Sequence, residues 1–139
     1  INYGDHRVHI DLKIKKHDDE NNRKLISVSL TNLDTVLNNH KTCQYFIWID
    51  VQGYEGYVLH GAKETLKHSY PIVIEFWPHG MSGSESYDLL VSSLMNAPYN
   101  YYYDLKYKNC EKKLLNKENL DKLFNELELE DDHTDLLIV

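Results

Sequence analysis

From Val8 to Ile14 apolar residues occupy every second position, with His9, Asp11 and Lys13 between them. A period of two predicts a half-buried strand. After a polar loop at residues 17–24 the alternation resumes over residues 25–30 and predicts a second strand, the two forming a long-looped hairpin. Leu33, Val36 and Leu37 then make one stripe of a short helix that Thr31 or Asn32 can cap and that Asn38-Asn39-His40 ends. Residues 45–51 are a nearly continuous run of β-branched and aromatic residues, the pattern of a strand buried on both faces of a parallel sheet, and Gly53 breaks it. Val58, Leu59, Ala62 and Leu66 keep helical spacing from Glu55 to about His68. Another apolar strand, residues 72–77, lies between Pro71 and Pro78. Ser84 can cap a helix with Tyr87, Leu90, Val91 and Leu94 on one face. Residues 100–105 form a tyrosine-rich strand, and Asn116 caps a helix with Leu120, Leu123, Phe124 and Leu127 at i, i+3, i+4 and i+7. Residues 135–139 close the chain as a final strand.

Strands alternating with helices from residue 45 onward imply a layered α/β domain with right-handed crossovers. A length of 139 residues suits one such domain. The net charge of −7, with only Arg7 and Arg23 as arginines, provides no concentrated basic surface for nucleic acid. No apolar run approaches the roughly 18 residues of a membrane span. The N-terminus has no apolar core of a secretory signal. Solubility and charge suggest a cytoplasmic protein. Cys43 and Cys110 make no CxxC pattern and read as two reduced thiols. The eight histidines show neither HxxxH nor HxH spacing, which gives no support for zinc.

In open α/β sheets, ligands bind outside the carboxyl ends of the strands. Asp50 ends the first core strand and Glu75 ends the next. If the strands are parallel neighbours, both carboxylates face one crevice, with Gln52, Glu55, Trp77, His79 and His6 beside it. Such a pair can accept a proton from a hydroxyl, hold a divalent cation or hydrogen-bond a sugar hydroxyl. Each residue alone also has a plainer reading. Asp50 can simply end a strand before a turn, and Glu55 can be a first-turn acid favoured by the helix dipole. The pair carries more weight, because both acids interrupt strongly apolar runs, where an unpaired carboxylate is costly.

Ile49-Asp50-Val51-Gln52-Gly53-Tyr54-Glu55, followed by Val58-Leu59-His60-Gly61-Ala62, resembles the KIDVEGxExxVLxGA signature of FkbM-type methyltransferases. Leu33-Asp34-Thr35-Val36-Leu37 looks like the family's TLDDLL helix, residues 71–78 (PIVIEFWP) like its next strand, and residues 2–7 (NYGDHR) like an NxGDxR loop. Asp135-Leu136-Leu137 is similar to the last strand. The resemblance implies a Rossmann-like class I methyltransferase sheet with helices on both faces and a C-terminal antiparallel strand. It implies S-adenosyl-L-methionine (AdoMet) as methyl donor and O-methylation of a hydroxyl on a sugar or natural product. Within the crevice Asp50 is expected nearest both the chemistry, as base or orienter, and the donor, with Glu75 and Glu55 supporting substrate hydroxyls or a metal and Gln52, Trp77, His79 and His6 on the acceptor side.

The family's glycine-rich AdoMet loop and ribose-holding acid lie upstream of these motifs. The six glycines here contain no GxGxG, so that half is expected to be missing. Weak or no AdoMet binding is then expected, and the strand at residues 45–51 would have an open edge that residues 8–14 or 25–30, or a partner, must cover. A non-catalytic, methyltransferase-like module that binds a glycan or a protein remains the alternative. A metal-dependent hydrolase using Asp50 and Glu75 lacks a histidine pattern.

Overall fold

The computed structural model describes residues 26–38, 43–106 and 108–139. His6 and the strand expected at residues 8–14 lie outside them. The elements run α1 (Leu33–Leu37), β1 (Ile47–Ile49), α2 (Glu55–His60), α3 (Lys63–Leu66), β2 (Ile72–Phe76), α4 (Pro78–Ser84), α5 (Tyr87–Met95), β3 (Tyr101–Asp104), β4 (Lys112–Leu114), α6 (Lys117–Glu130) and β5 (Thr134–Ile138). The five strands form one sheet in the order β1-β2-β5-β3-β4. β1 and β2 are parallel, whereas β5 is antiparallel to both β2 and β3. β1, β2 and β3 therefore point the same way, with the C-terminal strand inserted between two of them. β4 forms the far edge, antiparallel to β3.

Strand alternation sorts the side chains onto two faces. Ile49, Ile74, Leu136 and Ile138 share one face, register placing Ile49 beside Ile74 and Ile74 beside Leu136. They join Leu59 of α2, Leu90 and Leu94 of α5, and Leu120, Leu123 and Leu127 of α6 in a single buried cluster. Phe76 is fully buried there, its ring edge-on to Tyr87 and Phe124 at 6.2 Å each. The opposite face carries Trp48, Val73, Glu75, Asp135 and Leu137.

Several expectations need correction. Every described helix that contributes to the core packs on one face, so helices on both faces are not found among the described residues. The apolar run at residues 45–51 suggested burial on both sides, yet only residues 47–49 are strand, and Trp48 is 63% exposed beside buried Ile49. Residues 26–30 are not a strand. They are exposed, and Ile26, Val28 and Leu30 alternate with no sheet among the described residues to bury them. They do not cover the outer edge of β1, which among the described residues pairs only with β2. The helix expected from Glu55 to His68 is two helices, because the chain turns at Gly61 and Ala62 before α3. α4 and β4 were not anticipated, and α5 starts after Ser86 rather than Ser84. Neither cysteine is in a disulfide and both are exposed. No helix among the described residues is long and apolar enough to cross a membrane.

α1 is too short to be stable alone, and Asp34 ties it to α3. One carboxylate oxygen accepts the Glu64 amide (3.0 Å), and the other accepts the Thr65 amide and hydroxyl (2.8 Å each). Asn32 caps α1 through the Thr35 amide, as its sequence position suggested. Asn116 caps α6 in the same way through the Asn119 amide.

Candidate functional site

Asp50 follows β1, and Glu75 is the penultimate residue of β2. Because the strands are parallel and Ile49 sits beside Ile74, the two carboxyls emerge side by side at the carboxyl end of the sheet. Gln52 joins them. Its Nε2 donates to Asp50 Oδ1 (2.9 Å) and to Glu75 Oε2 (3.2 Å), one amide hydrogen serving each carboxylate. Asp50, Gln52 and Glu75 are thus a directly hydrogen-bonded group.

The turn that delivers Gln52 is unusual. Gln52 has φ +54° and Gly53 φ +94°. A non-glycine residue in the left-handed region costs about 1–2 kcal/mol, and such strain concentrates at functional sites. Gly53 is required twice over, since a Cβ there would come within 2.5 Å of the Gly80 main chain. Glu55 is fully buried behind the turn. Its Oε1 accepts the amides of Val51 (3.0 Å) and Gly53 (3.2 Å), while Oε2 is buried with no hydrogen-bond partner among the described residues.

A fourth carboxylate completes the group. Asp135 of β5 is the antiparallel register partner of Glu75, an opposition of like charges that is unfavourable while both are ionised. Burial pushes the Glu75 carboxyl up to about 7, helped by the charges of Asp50, Glu55 and Asp135 and by a hydrogen bond with the Asp50 side chain. Burial also raises the Glu55 carboxyl, outweighing the backbone amides that favour its charge. Among the described residues no Lys, Arg or His forms an ion pair with any of the four. No group of three or more His, Cys, Asp or Glu side chains there is arranged to hold a metal.

This arrangement presents a strongly negative patch in which one carboxyl titrates near neutral pH. Such a group can take a proton from a hydroxyl at physiological pH. Trp77 and His79 flank the start of α4, their rings 5.7 Å apart; Trp77 is half-buried against Gly80 and His79 is exposed. Sequence reasoning did not bring Asp135 into the group. The available signal was an acid at the start of a C-terminal antiparallel strand, because such a strand begins where its parallel neighbours end. Ser84 and Ser86 were also missed in their actual role. Both hydroxyls donate to the Gly53 carbonyl at 2.5 Å, a contact that no local pattern announces.

A family model described as the methyltransferase FkbM domain matches residues 3–105. No curated protein and no solved structure matches the chain. The matched segment contains α1 to β3, and with them Asp50, Gln52, Glu55 and Glu75. It stops short of β5, although β5 lies between β2 and β3. The match covers about three quarters of the sequence and includes the bridged carboxylates, so the chain belongs to the FkbM methyltransferase domain family.

Proposed function

We propose that the protein is an AdoMet-dependent O-methyltransferase whose acceptor hydroxyl, on a sugar or natural product, is deprotonated at the Asp50–Gln52–Glu75 group. The observation that carries this reading is the bridging amide of Gln52 across two carboxyls, one of them titrating near 7. AdoMet, when bound, supplies an electrophilic methyl group on a cationic sulfur. The negative patch fits that charged end, and exposed Asp50 is the residue that would face it. No GxGxG is present for the nucleoside end.

In this reading Glu75 accepts the hydroxyl proton as the acceptor oxygen develops charge, and Asp50 orients the hydroxyl. Gln52 keeps the two carboxyls at a fixed separation, one amide hydrogen on each. Glu55 is a positioning residue, since its buried carboxyl holds the turn. Trp77 and His79 shape the acceptor side. Methyl transfer is an in-line displacement, and its rate depends heavily on such positioning. A second reading is a non-catalytic glycan- or protein-binding module.

Transfer of labelled methyl from AdoMet to a panel of sugar and natural-product hydroxyls tests the proposal. Loss of the general base in Glu75→Gln is expected to lower kcat by about 10²–10⁴. The wild-type rate should rise with pH through about 7 and then level off, because Glu75 must be ionised to act. Wild-type kcat in both Glu75→Gln and Asp50→Asn would sink the mechanism. Glycan binding without any methyl transfer would favour the second reading.

A further inference from the structure

Gly53 is held from both sides by side chains that the proposed chemistry does not itself use. Its amide donates to Glu55 Oε1, together with the amide of Val51. Its carbonyl accepts from Ser84 Oγ at the end of α4 and from Ser86 Oγ just before α5. A carbonyl oxygen has two lone pairs and can accept both. Ser84 Oγ also lies 3.2 Å from the Met81 carbonyl, but a hydroxyl has one hydrogen and the Gly53 contact is the shorter. Glu55 and Ser86 are fully buried and Ser84 nearly so, which leaves these hydrogen bonds little competition from water. Gln52 lies between the two anchored peptide groups, in a left-handed conformation that it would not choose unaided.

We propose that Glu55, Ser84 and Ser86 are positioning residues that clamp the turn at residues 51–53 and thereby hold the Gln52 amide across Asp50 and Glu75. This rests on the reading of the carboxyl pair as the reactive site. The clamp links the pair to α2, α4 and α5, which explains why a half-buried amide can bridge two acids at fixed distances. It also couples the protonation of Glu75 to residues outside the carboxyl pair. An amide N–H that donates to a carboxylate favours its charged form, so loosening the clamp should make Glu75 harder to ionise. The titratable groups that act on Glu75 are Asp50 after β1, Glu55 of α2 and Asp135 of β5, and serine-to-alanine changes alter none of them.

The test is a carbon-detected NMR titration of the Glu75 carboxyl, with the resonance assigned by its loss in Glu75→Gln. The wild-type midpoint should lie at about 7. Removing the bridge in Gln52→Leu should raise it by about half a pH unit or more. Ser84→Ala/Ser86→Ala should raise it in the same direction, and each single variant by less. Hydrogen exchange provides a second readout. The Val51 and Gly53 amides should stay protected in Glu55→Gln, which retains an acceptor oxygen, and lose protection in Glu55→Ala. An unchanged Glu75 midpoint in the double serine variant, or protected amides in Glu55→Ala, would overturn the clamp. Neither measurement requires methyl transfer. A moved midpoint in a protein that transfers no methyl group keeps the clamp and removes the proposed activity, whereas an unmoved midpoint in an active enzyme does the reverse.

Discussion

Gly53→Ala should be among the most damaging single-methyl additions to this protein, and Gly83→Ala among the most harmless. At φ +94° an L-residue is strained by about 1–2 kcal/mol. The new Cβ would also lie 2.5 Å from the carbonyl carbon and oxygen of Gly80 and 2.9 Å from its Cα. These are main-chain atoms that cannot rotate aside, so relief requires moving the start of α4 relative to the turn after β1. Forced overpacking of this kind costs about 1–3 kcal/mol, and the combined expectation is about 3 kcal/mol. Gly83 lies in α4, and a Cβ there meets nothing within 4 Å. Alanine at that helical position should stabilise by about 0.5–1 kcal/mol. Urea unfolding followed by the fluorescence of Trp48 and Trp77 measures both, with stability read as a change in midpoint at constant slope. For a chain of this length the Tm of Gly53→Ala should fall by about 10 °C and that of Gly83→Ala rise by about 2 °C. The account of the turn is wrong if Gly53→Ala unfolds within about 0.5 kcal/mol of wild type, a difference no larger than ordinary surface substitutions produce.

Other perturbations probe separate links. Asp34→Ala should cost about 1–2 kcal/mol, because it orphans the α3 amides and releases α1. Burial pushes the Asp34 carboxyl up, but hydrogen bonds from Glu64 and Thr65 outweigh it and hold it below its ordinary 3.8. The wild-type advantage over Asp34→Ala should therefore be complete above that value and shrink as pH falls through the folded-state value, as thermal melts at stepped pH would show. Glu75 has the opposite sign. Its folded-state value of about 7 exceeds its ordinary 4.5, so its contribution to stability is full below 4.5 and is lost as pH rises through 7. Glu75→Gln should flatten that part of the Tm-versus-pH curve, and an unchanged slope would contradict the raised carboxyl. Asn116→Ala should cost about 1 kcal/mol through loss of the α6 cap, measurable as a lower urea midpoint.

Much of the fold was legible because it is written in local periodicity. The stripe Leu120, Leu123 and Leu127 and the cap Asn116 define α6 without reference to anything distant. The apolar run between Pro71 and Pro78 defines β2 in the same way, and Asn32 with Leu33 marks the start of α1. Where periodicity misled, tertiary context had overridden it. Residues 26–30 alternate like a strand, but alternation yields a strand only where a neighbour can complete the ladder, and these residues are exposed. The continuous helical spacing from Glu55 onward could not reveal the turn at Gly61. That turn frees the start of α3 to receive Asp34 from α1, 30 residues earlier.

The candidate site divides along the same line. Asp50 and Glu75 could be named from the sequence because an acid at the end of an apolar strand has few inexpensive explanations, and Gln52 and Glu55 came with the motif that surrounds Asp50. Their division of labour was decided by the folded chain. Glu55 and Gln52 are three positions apart, yet one carboxyl is sealed behind the turn while the other side chain bridges two acids in front of it. Asp135, Ser84 and Ser86 entered only when β5 and the α4–α5 junction folded back onto the ends of β1 and β2. The sequence by itself determined which residue types stand at strand ends and which stretches are apolar enough to form the sheet, because those properties depend on near neighbours. Only the tertiary structure decided which carboxyl is buried, which is bridged and which titrates near neutrality, because desolvation and charge proximity are set by groups that are close in space and distant along the chain.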